Sequence, residues 1–319
     1  MPDSVEVCAG AGGQALGLEQ AGFSHRALVE LEAAYCNTLR FNRPHWNVIE
    51  RDLNHFDGRP FKGVDLFAGG LPCPPFSVAG KQLGANDERN LFPAALRVVD
   101  EIRPRAIMIE NVRGFLDPVF ESYRTSLKRQ LRKLGYEVDW RLINASSFGV
   151  PQIRPRVVIV GLRKDMASDF TWPSAVTGEA PTVGAVLFDL MASRGWKGAS
   201  DWRHVANQIA PTIVGGSKKH GGPDLGPTRA RKAWSVLGVN GLTIAEDPPD
   251  AAFEGVPRLT IRMVARLQGF PDSWAFAGKK TVAYRQVGNA FPPPVARAVA
   301  TQIAIALKAP VACHLRGAA

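Results

Sequence analysis

Short apolar runs and amphipathic stretches alternate along the first two-thirds of the chain. The runs "SVEVCA", "RALVE", "NVIE", "GVDLFA", "RAIMIE", "EVDWRL" and "RVVIVGL" predict strands. Between them, "GQALGLEQAGF" reads as a helix that closes at Gly22. The stretch "FESYRTSLKRQLRKLGY" sets Phe120, Tyr123, Leu127, Leu131 and Leu134 on one helical face before Gly135. This alternation specifies an α/β fold, a mostly parallel sheet covered by helices.

The rhythm fades from about Lys164 to Pro257, where glycine, proline and tryptophan are frequent among polar residues. A second, small and irregular unit is predicted there. Helical periodicity returns at "TIRMVARLQGFPDSW", with Thr260 as N-cap and Gly269 as stop. It continues in "PPVARAVATQIAIAL", where Val295, Val299 and Ile303 share a face.

Length allows one large domain plus a smaller one, since 319 residues can bury a substantial core without disulfides. The four cysteines (Cys8, Cys36, Cys73 and Cys313) form no CxxC pair and no zinc-like spacing with histidine, so no metal is expected. No stretch approaches the roughly 18 apolar residues of a membrane span. A soluble, cytoplasmic protein is the expectation.

Charge sharpens this picture through its placement. The chain has 39 Lys+Arg against 29 Asp+Glu, a net +10. Residues 193–240 hold eight Lys or Arg against two acids, so that stretch alone supplies +6. A polyanionic partner would meet the irregular unit.

Candidate chemistry collects at the ends of the predicted strands. The turn "CAGAGGQALG" follows the first strand and opens a helix, so Gly10, Ala11, Gly12 and Gly13 let a ligand approach the backbone. Glu30 ends the second strand, where an acid typically meets ribose hydroxyls, and Asp52 closes the third, where it would meet an adenine amino group. Taken singly, these are ordinary turn and rim residues. In order, they indicate an adenosine-containing ligand, and the absence of a lysine from the turn argues against a triphosphate.

The stretch "GGLPCPPFS" follows the fourth strand and sets Cys73 among Pro72, Pro74 and Pro75. A free cysteine is most often a small core residue. Prolines that fix φ and remove amide donors suit a presented side chain better. "RAIMIE" delivers Glu110, either a satisfied structural acid or a carboxyl able to donate a proton. "PQIRPR" places Arg154 and Arg156 on one side if extended, where they would hold a phosphate or a carbonyl oxygen, or else line a solvated strand start.

The ordered blocks "AGAGG", "PCPPFS", "ENV", "QIRPR", "RLQGFP" and "QVGNAFPPPV" resemble the bacterial cytosine-5 DNA methyltransferases nearly end to end. The resemblance implies a Rossmann-like methyltransferase domain, S-adenosylmethionine as methyl donor with S-adenosylhomocysteine as product, and duplex DNA as partner. It implies a flipped-out cytosine as acceptor, attacked at carbon 6 by Cys73, with Glu110 at ring nitrogen 3 and Arg156, beside Arg154, at the carbonyl. For the cofactor it implies the Gly10–Gly13 turn, Glu30, Asp52, Leu91 lining the pocket and Asn289 closing it. Leu31 stands where many members carry an aromatic residue, and Cys8 where most carry phenylalanine.

The same resemblance divides the chain into a discontinuous catalytic domain, 1–164 and 258–319, and a target-recognition insert, 165–257. Gln152, Thr212 and Ile213 are the expected DNA contacts near the flipped base. Lys218, Lys219, Arg229, Arg231 and Lys232 are the expected contacts to phosphates or guanines. A monomer is expected, with a cognate restriction endonuclease as candidate companion. Three rivals stay open: a transfer-RNA cytosine-5 methyltransferase, whose Cys-Phe-Thr run "ENVRGFLDPVF" lacks; a non-catalytic DNA-binding relative; and an unrelated nucleotide-binding α/β protein.

Overall fold

The computed structural model describes residues 1–71, 90–216 and 222–308. Seven strands are present: β1 (Asp3–Val7), β2 (Ser24–Glu30), β3 (Val48–Glu50), β4 (Leu66–Gly70), β5 (Ala106–Val112), β6 (Tyr136–Asn144) and β7 (Pro155–Arg163). They form one sheet in the order β3-β2-β1-β4-β5-β7-β6, parallel except for β7, which runs antiparallel to both neighbours. Every strand read from the apolar runs is present. The first is shorter than expected, because Cys8 takes a left-handed φ of 51° and ends it at Val7.

The helices that follow the first strands are α1 (Gly13–Gln20), α2 (Ala33–Asn42), α3 (Phe92–Ile102) and α4 (Glu121–Lys133). The second unit contributes α5 (Val183–Ala192), α6 (Ala199–Val205) and α7 (Thr228–Val236), and the chain closes with α8 (Ile261–Leu267), α9 (Lys280–Asn289) and α10 (Pro293–Lys308). The three helices of the second unit escaped the sequence reading. Two are only 9 and 7 residues long, too short to show a period among the glycines and prolines around them.

Alternation along the strands builds two cores. Phe67, Ile107, Ile109, Val157 and Ile159 face α3 and α4, against Val98, Ile102, Leu127 and Leu131. Their sequence neighbours Leu66, Ala68, Met108, Val158 and Val160 face the other way, onto Val295, Val299 and Ile303 of α10. Burying each such aliphatic side chain contributes about 1.5–3 kcal/mol. A third cluster joins Leu187 and Met191 of α5, Trp202 of α6 and Trp234 of α7 to Met263, Val264 and Leu267 of α8. The second unit is thus packed continuously onto the returning chain.

That return is tight. Gly12, at φ +83°, is the N-cap of α1, and a Cβ on Gly13 would lie 2.2 Å from the Phe291 carbonyl oxygen. Only glycine lets the C-terminal segment press this close to the first turn. Thr260 caps α8 as read, its Oγ1 accepting the Met263 N–H at 3.3 Å.

Topology then concentrates function. β1 lies between β2 and β4, so connections leave it in opposite directions and open a crevice at the carboxyl ends of these strands. Because β7 is antiparallel, its beginning rather than its end lies at that edge, with Arg156 opposite Val112 of β5. The turn after β1, the acid ending β2, Gly70 of β4, Glu110 of β5 and the start of β7 therefore lie along one edge.

Candidate active site

Glu30 is nearly buried at the end of β2 and is held by three backbone amides. Oε2 accepts from Gly10 N–H at 2.7 Å, and Oε1 accepts from the N–H groups of Leu31 and Glu32 at 2.9 Å each. Burial raises its pKa, and the amide hydrogen bonds partly offset that. The carboxylate is thereby fixed against the glycine turn. Gly10 has φ +56°, and a Cβ there would find nothing within 4 Å, so the turn presents bare backbone to open space beside Glu30.

The remaining expected cofactor residues surround this turn unevenly. Asp52 lies two residues beyond β3, where Oδ1 accepts from Asn54 N–H at 2.8 Å. Burial, and after it the charges of Glu30, Asp52 and Glu6, push the Cys8 thiol well up. Leu91 is half-buried at the start of α3, and Leu31 is exposed. Ala11 is buried, with its carbonyl accepting the Trp274 indole N–H at 3.1 Å. Asn289 ends α9, and its Nδ2 donates to the Gly216 carbonyl at 3.2 Å, so in this structure it holds the second unit. The open turn, the fixed carboxylate and Asp52 form a set that fits an adenosine-bearing cofactor.

The acid–arginine pair lies across the crevice. Glu110 sits opposite Gly70 of β4 on one side and Val158 of β7 on the other. Its Oε1 is 2.8 Å from Arg156 Nε, with both side chains almost buried. Burial raises the Glu110 pKa, against the opposing pull of Arg156 and then Arg154. A carboxyl of this kind is poised to hold or deliver a proton, and Arg156, whose Nη1 donates to the Pro155 carbonyl at 2.9 Å, has Nη2 left among the described residues for an incoming oxygen. Gly70 lies alongside: a Cβ on it would be 3.5 Å from Glu110 Oε2. Cys73, three residues on, lies outside the described residues, as do Lys218 and Lys219.

Arg154 and Arg156 do not share a surface. Arg154 precedes β7 and is completely buried, donating to the carbonyls of Ile213 (2.8 Å), Gly288 (2.8 Å) and Ala290 (3.0 Å). The strand alternation that would pair the two arginines has not begun at residue 154. Gln152, expected at the DNA, is buried too: its Nε2 donates to Leu267 O at 3.1 Å and Gln268 Oε1 at 2.5 Å. Its Oε1 accepts Ile213 N–H at 3.0 Å, and Ile213 is itself 1% exposed. Neither Gln152 nor Ile213 therefore reaches a surface in this structure. Thr212 is half-buried, and its Oγ1 donates to the Ile153 carbonyl at 2.6 Å. Arg229 and Lys232 are exposed on α7, and Arg231 is half-buried.

Sequence reasoning missed two buried glutamines. Gln268 Nε2 donates to Val287 O at 2.8 Å, and Gln286 Oε1 accepts from Thr38 Oγ1 at 2.6 Å, tying α9 to α8 and α2. A lone amide inside an apolar helical pattern was the available signal.

Strand order, glycine turn and the acid ending β2 define a doubly wound, Rossmann-like α/β protein. Within that class, the chain belongs to the C-5 cytosine-specific DNA methylase family, whose model matches residues 3–304. It is 56% identical over 309 residues to the type II methyltransferase M.NaeI of Lentzea aerocolonigenes, covering 95% of this chain and 75% of that one. It is 54% identical to the type II methyltransferase M.NgoMIV of Neisseria gonorrhoeae, covering 96% and 98%. Among solved structures, a putative DNA modification methyltransferase encoded within an Escherichia coli prophage superposes with a TM-score of 0.66 at 21% identity, covering 95% of this chain and 99% of that one. A Spodoptera frugiperda DNMT2 mutant superposes with a TM-score of 0.65 at 17% identity, covering 95% and 99%. These two likenesses concern the fold. Family membership makes the chain a DNA (cytosine-5-)-methyltransferase and implies dependence on S-adenosylmethionine. No described helix is long and apolar enough to cross a membrane.

Proposed function

We propose that this chain is a type II modification methyltransferase that methylates carbon 5 of a cytosine swung out of a specific duplex sequence. The observation that carries the reading is the buried Glu110–Arg156 pair, one strand away from the Gly70 that leads into "PCPPFS". Cys73 adds through Sγ to cytosine carbon 6, which breaks the ring's aromaticity and makes carbon 5 nucleophilic. Glu110 protonates or hydrogen-bonds ring nitrogen 3 and so takes up the charge that this addition creates. Arg156 holds the cytosine carbonyl oxygen and orients Glu110. Once carbon 5 has taken the methyl group, with S-adenosylhomocysteine as the leaving group, loss of the carbon-5 proton to water expels the Cys73 thiolate and restores the ring.

S-adenosylmethionine supplies the electrophilic methyl group, held by the Gly10–Gly13 turn, Glu30 at the ribose, Asp52 at the adenine, and Leu91 and Asn289 at the rim. The catalytic domain comprises 1–164 and 258–319, and 165–257 reads the DNA. Arg229, Arg231 and Lys232 of α7, together with Lys218 and Lys219, supply the basic surface, and Thr212 meets the backbone near the flipped base. Extrusion of the base costs on the order of a few kcal/mol, offset by pocket and phosphate contacts. The enzyme works as a monomer, and its likeness to type II methyltransferases supports a cognate restriction endonuclease as companion.

Duplex DNA carrying 5-fluorocytosine, incubated with the protein and S-adenosylmethionine, tests this reading. Fluorine does not leave as a proton does, so a denaturation-resistant adduct through Cys73 is expected, and none with Cys73→Ala. Adduct formation on structured RNA but on no duplex would overturn the substrate assignment.

A further inference from the structure

Residues 211–216 of the insert form a strap that crosses the catalytic domain, and four of its polar groups are held by that domain. Ile213 is gripped at both backbone atoms: its N–H donates to Gln152 Oε1 at 3.0 Å, and its carbonyl accepts from Arg154 at 2.8 Å. Thr212 Oγ1 donates to Ile153 O at 2.6 Å, and Asn289 Nδ2 donates to Gly216 O at 3.2 Å. Ala210, just before the strap, bridges to Gln152 through backbone. All these partners belong to the "QIRPR" segment or to the end of α9.

The crossing itself is backbone on backbone. A Cβ on Gly288 would lie 2.5 Å from Gly215 Cα, and a Cβ on Gly215 would lie 2.6 Å from Asn289 Oδ1 and 2.7 Å from Arg285 O. Arg154 spans the joint, donating to Gly288 O and Ala290 O on one side and Ile213 O on the other. It is wholly buried, with Arg156 and Glu110 near enough to shift its charge. Its Nε and the Tyr284 hydroxyl are both buried without a partner among the described residues. Burial raises the Tyr284 hydroxyl's pKa, Asp224 of the insert adds to the rise, and Arg154 opposes it.

A buried guanidinium whose donors go to three carbonyls on two chain segments does not bind a phosphate; it holds those segments in one arrangement. We propose that Arg154 is a positioning residue that clamps the 211–216 strap to the α9–α10 junction and thereby sets the register of the recognition insert over Glu110 and Arg156. The proposal rests on the methyltransferase reading above. The consequence is specificity. The insert recognises the sequence and the sheet edge does the chemistry, so only a fixed relation between them restricts the cytosine presented to Glu110 to the one in the target. Loosening the clamp lets neighbouring registers dock and react.

The test compares single-turnover methylation of two duplexes, one carrying the target mapped by 5-methylcytosine sequencing of DNA from an expressing host, the other with one base pair of that target changed. Arg154→Lys keeps the charge but loses the fork. Gly215→Ala wedges the crossing and leaves the buried charge intact, so it covers the case in which the arginine variant fails to fold. In both, the ratio of target to changed-target rate is expected to fall at least ten-fold, whatever happens to the absolute rates. Loss of folded protein or of cofactor binding scales both rates equally, so an unchanged ratio in Gly215→Ala overturns the clamp. A wild-type chain that forms no 5-fluorocytosine adduct on any duplex overturns the functional reading beneath it. A wild type that forms the adduct, with variants of unchanged ratio, overturns the clamp alone.

Discussion

Arg154 and Arg156 are two residues apart and chemically identical, yet they live in opposite surroundings. Arg156 sits at the crevice with a carboxylate 2.8 Å from its Nε and some side-chain exposure. Arg154 is sealed, with carbonyl oxygens in place of a carboxylate, and burial followed by the charge of Arg156 holds its pKa well below the usual arginine range. The first arrangement leaves donors available to an incoming oxygen. The second uses its donors to join segments remote in sequence. A guanidinium's role is set by what saturates its fork, not by the residue type.

The largest effect should come from the pair at the crevice. Glu110→Gln keeps the shape and removes the acid, so kcat is expected to fall by roughly 10²–10⁴-fold with the urea midpoint nearly unchanged. A comparable rate in the variant would show that the carboxyl does no proton work. The sealed arginine should behave in the reverse way. Arg154→Met strands three buried carbonyls, and about 3–5 kcal/mol of stability is expected to go, read by urea unfolding. If instead stability holds and only target binding weakens, Arg154 is a DNA contact after all.

pH separates the two regions further. Glu110 is raised mainly by burial, and so is Glu6 on β1, where Oε2 has no hydrogen-bond partner among the described residues. Above the ordinary carboxylate value, the folded state holds these protons while the unfolded state has released them. Stability therefore falls as pH rises through that window. Glu6→Gln removes one such group, so its unfolding free energy should vary less steeply with pH above the ordinary carboxylate range. An unaltered slope would mean that Glu6 is ionised in the fold. The smallest effect belongs to the insert: if Arg229 on α7 touches a phosphate, Arg229→Gln lowers the slope of log binding constant against log salt by about 0.9. An unchanged slope would move DNA off that helix.

Much of this was legible before any coordinates. The seven apolar runs and the capped "TIRMVARL" helix depend on local periodicity, and each of those elements is present. Glu30 was legible as a strand-end acid, and Glu110 as an acid near the end of its strand, although β5 runs two residues further to Val112. Helices α5 to α7 were not, because packing onto α8 supplies the stability that their short, glycine-flanked sequences lack. Gln152 and Ile213 looked like surface residues for a related reason. Nothing near them in sequence announces that Leu267, Gln268 and Arg154 will enclose them.

By itself, then, the sequence determined the order of strands along the chain, the family and which residue types carry the chemistry, because these depend on patterns a few residues long. Only the tertiary structure decided that β7 runs backward and brings Arg156 to Glu110, and that Arg154, two residues earlier, turns into the interior. Burial and hydrogen-bond partners are set by segments more than a hundred residues away, such as Gly288 and Ala290, and no local pattern encodes that meeting.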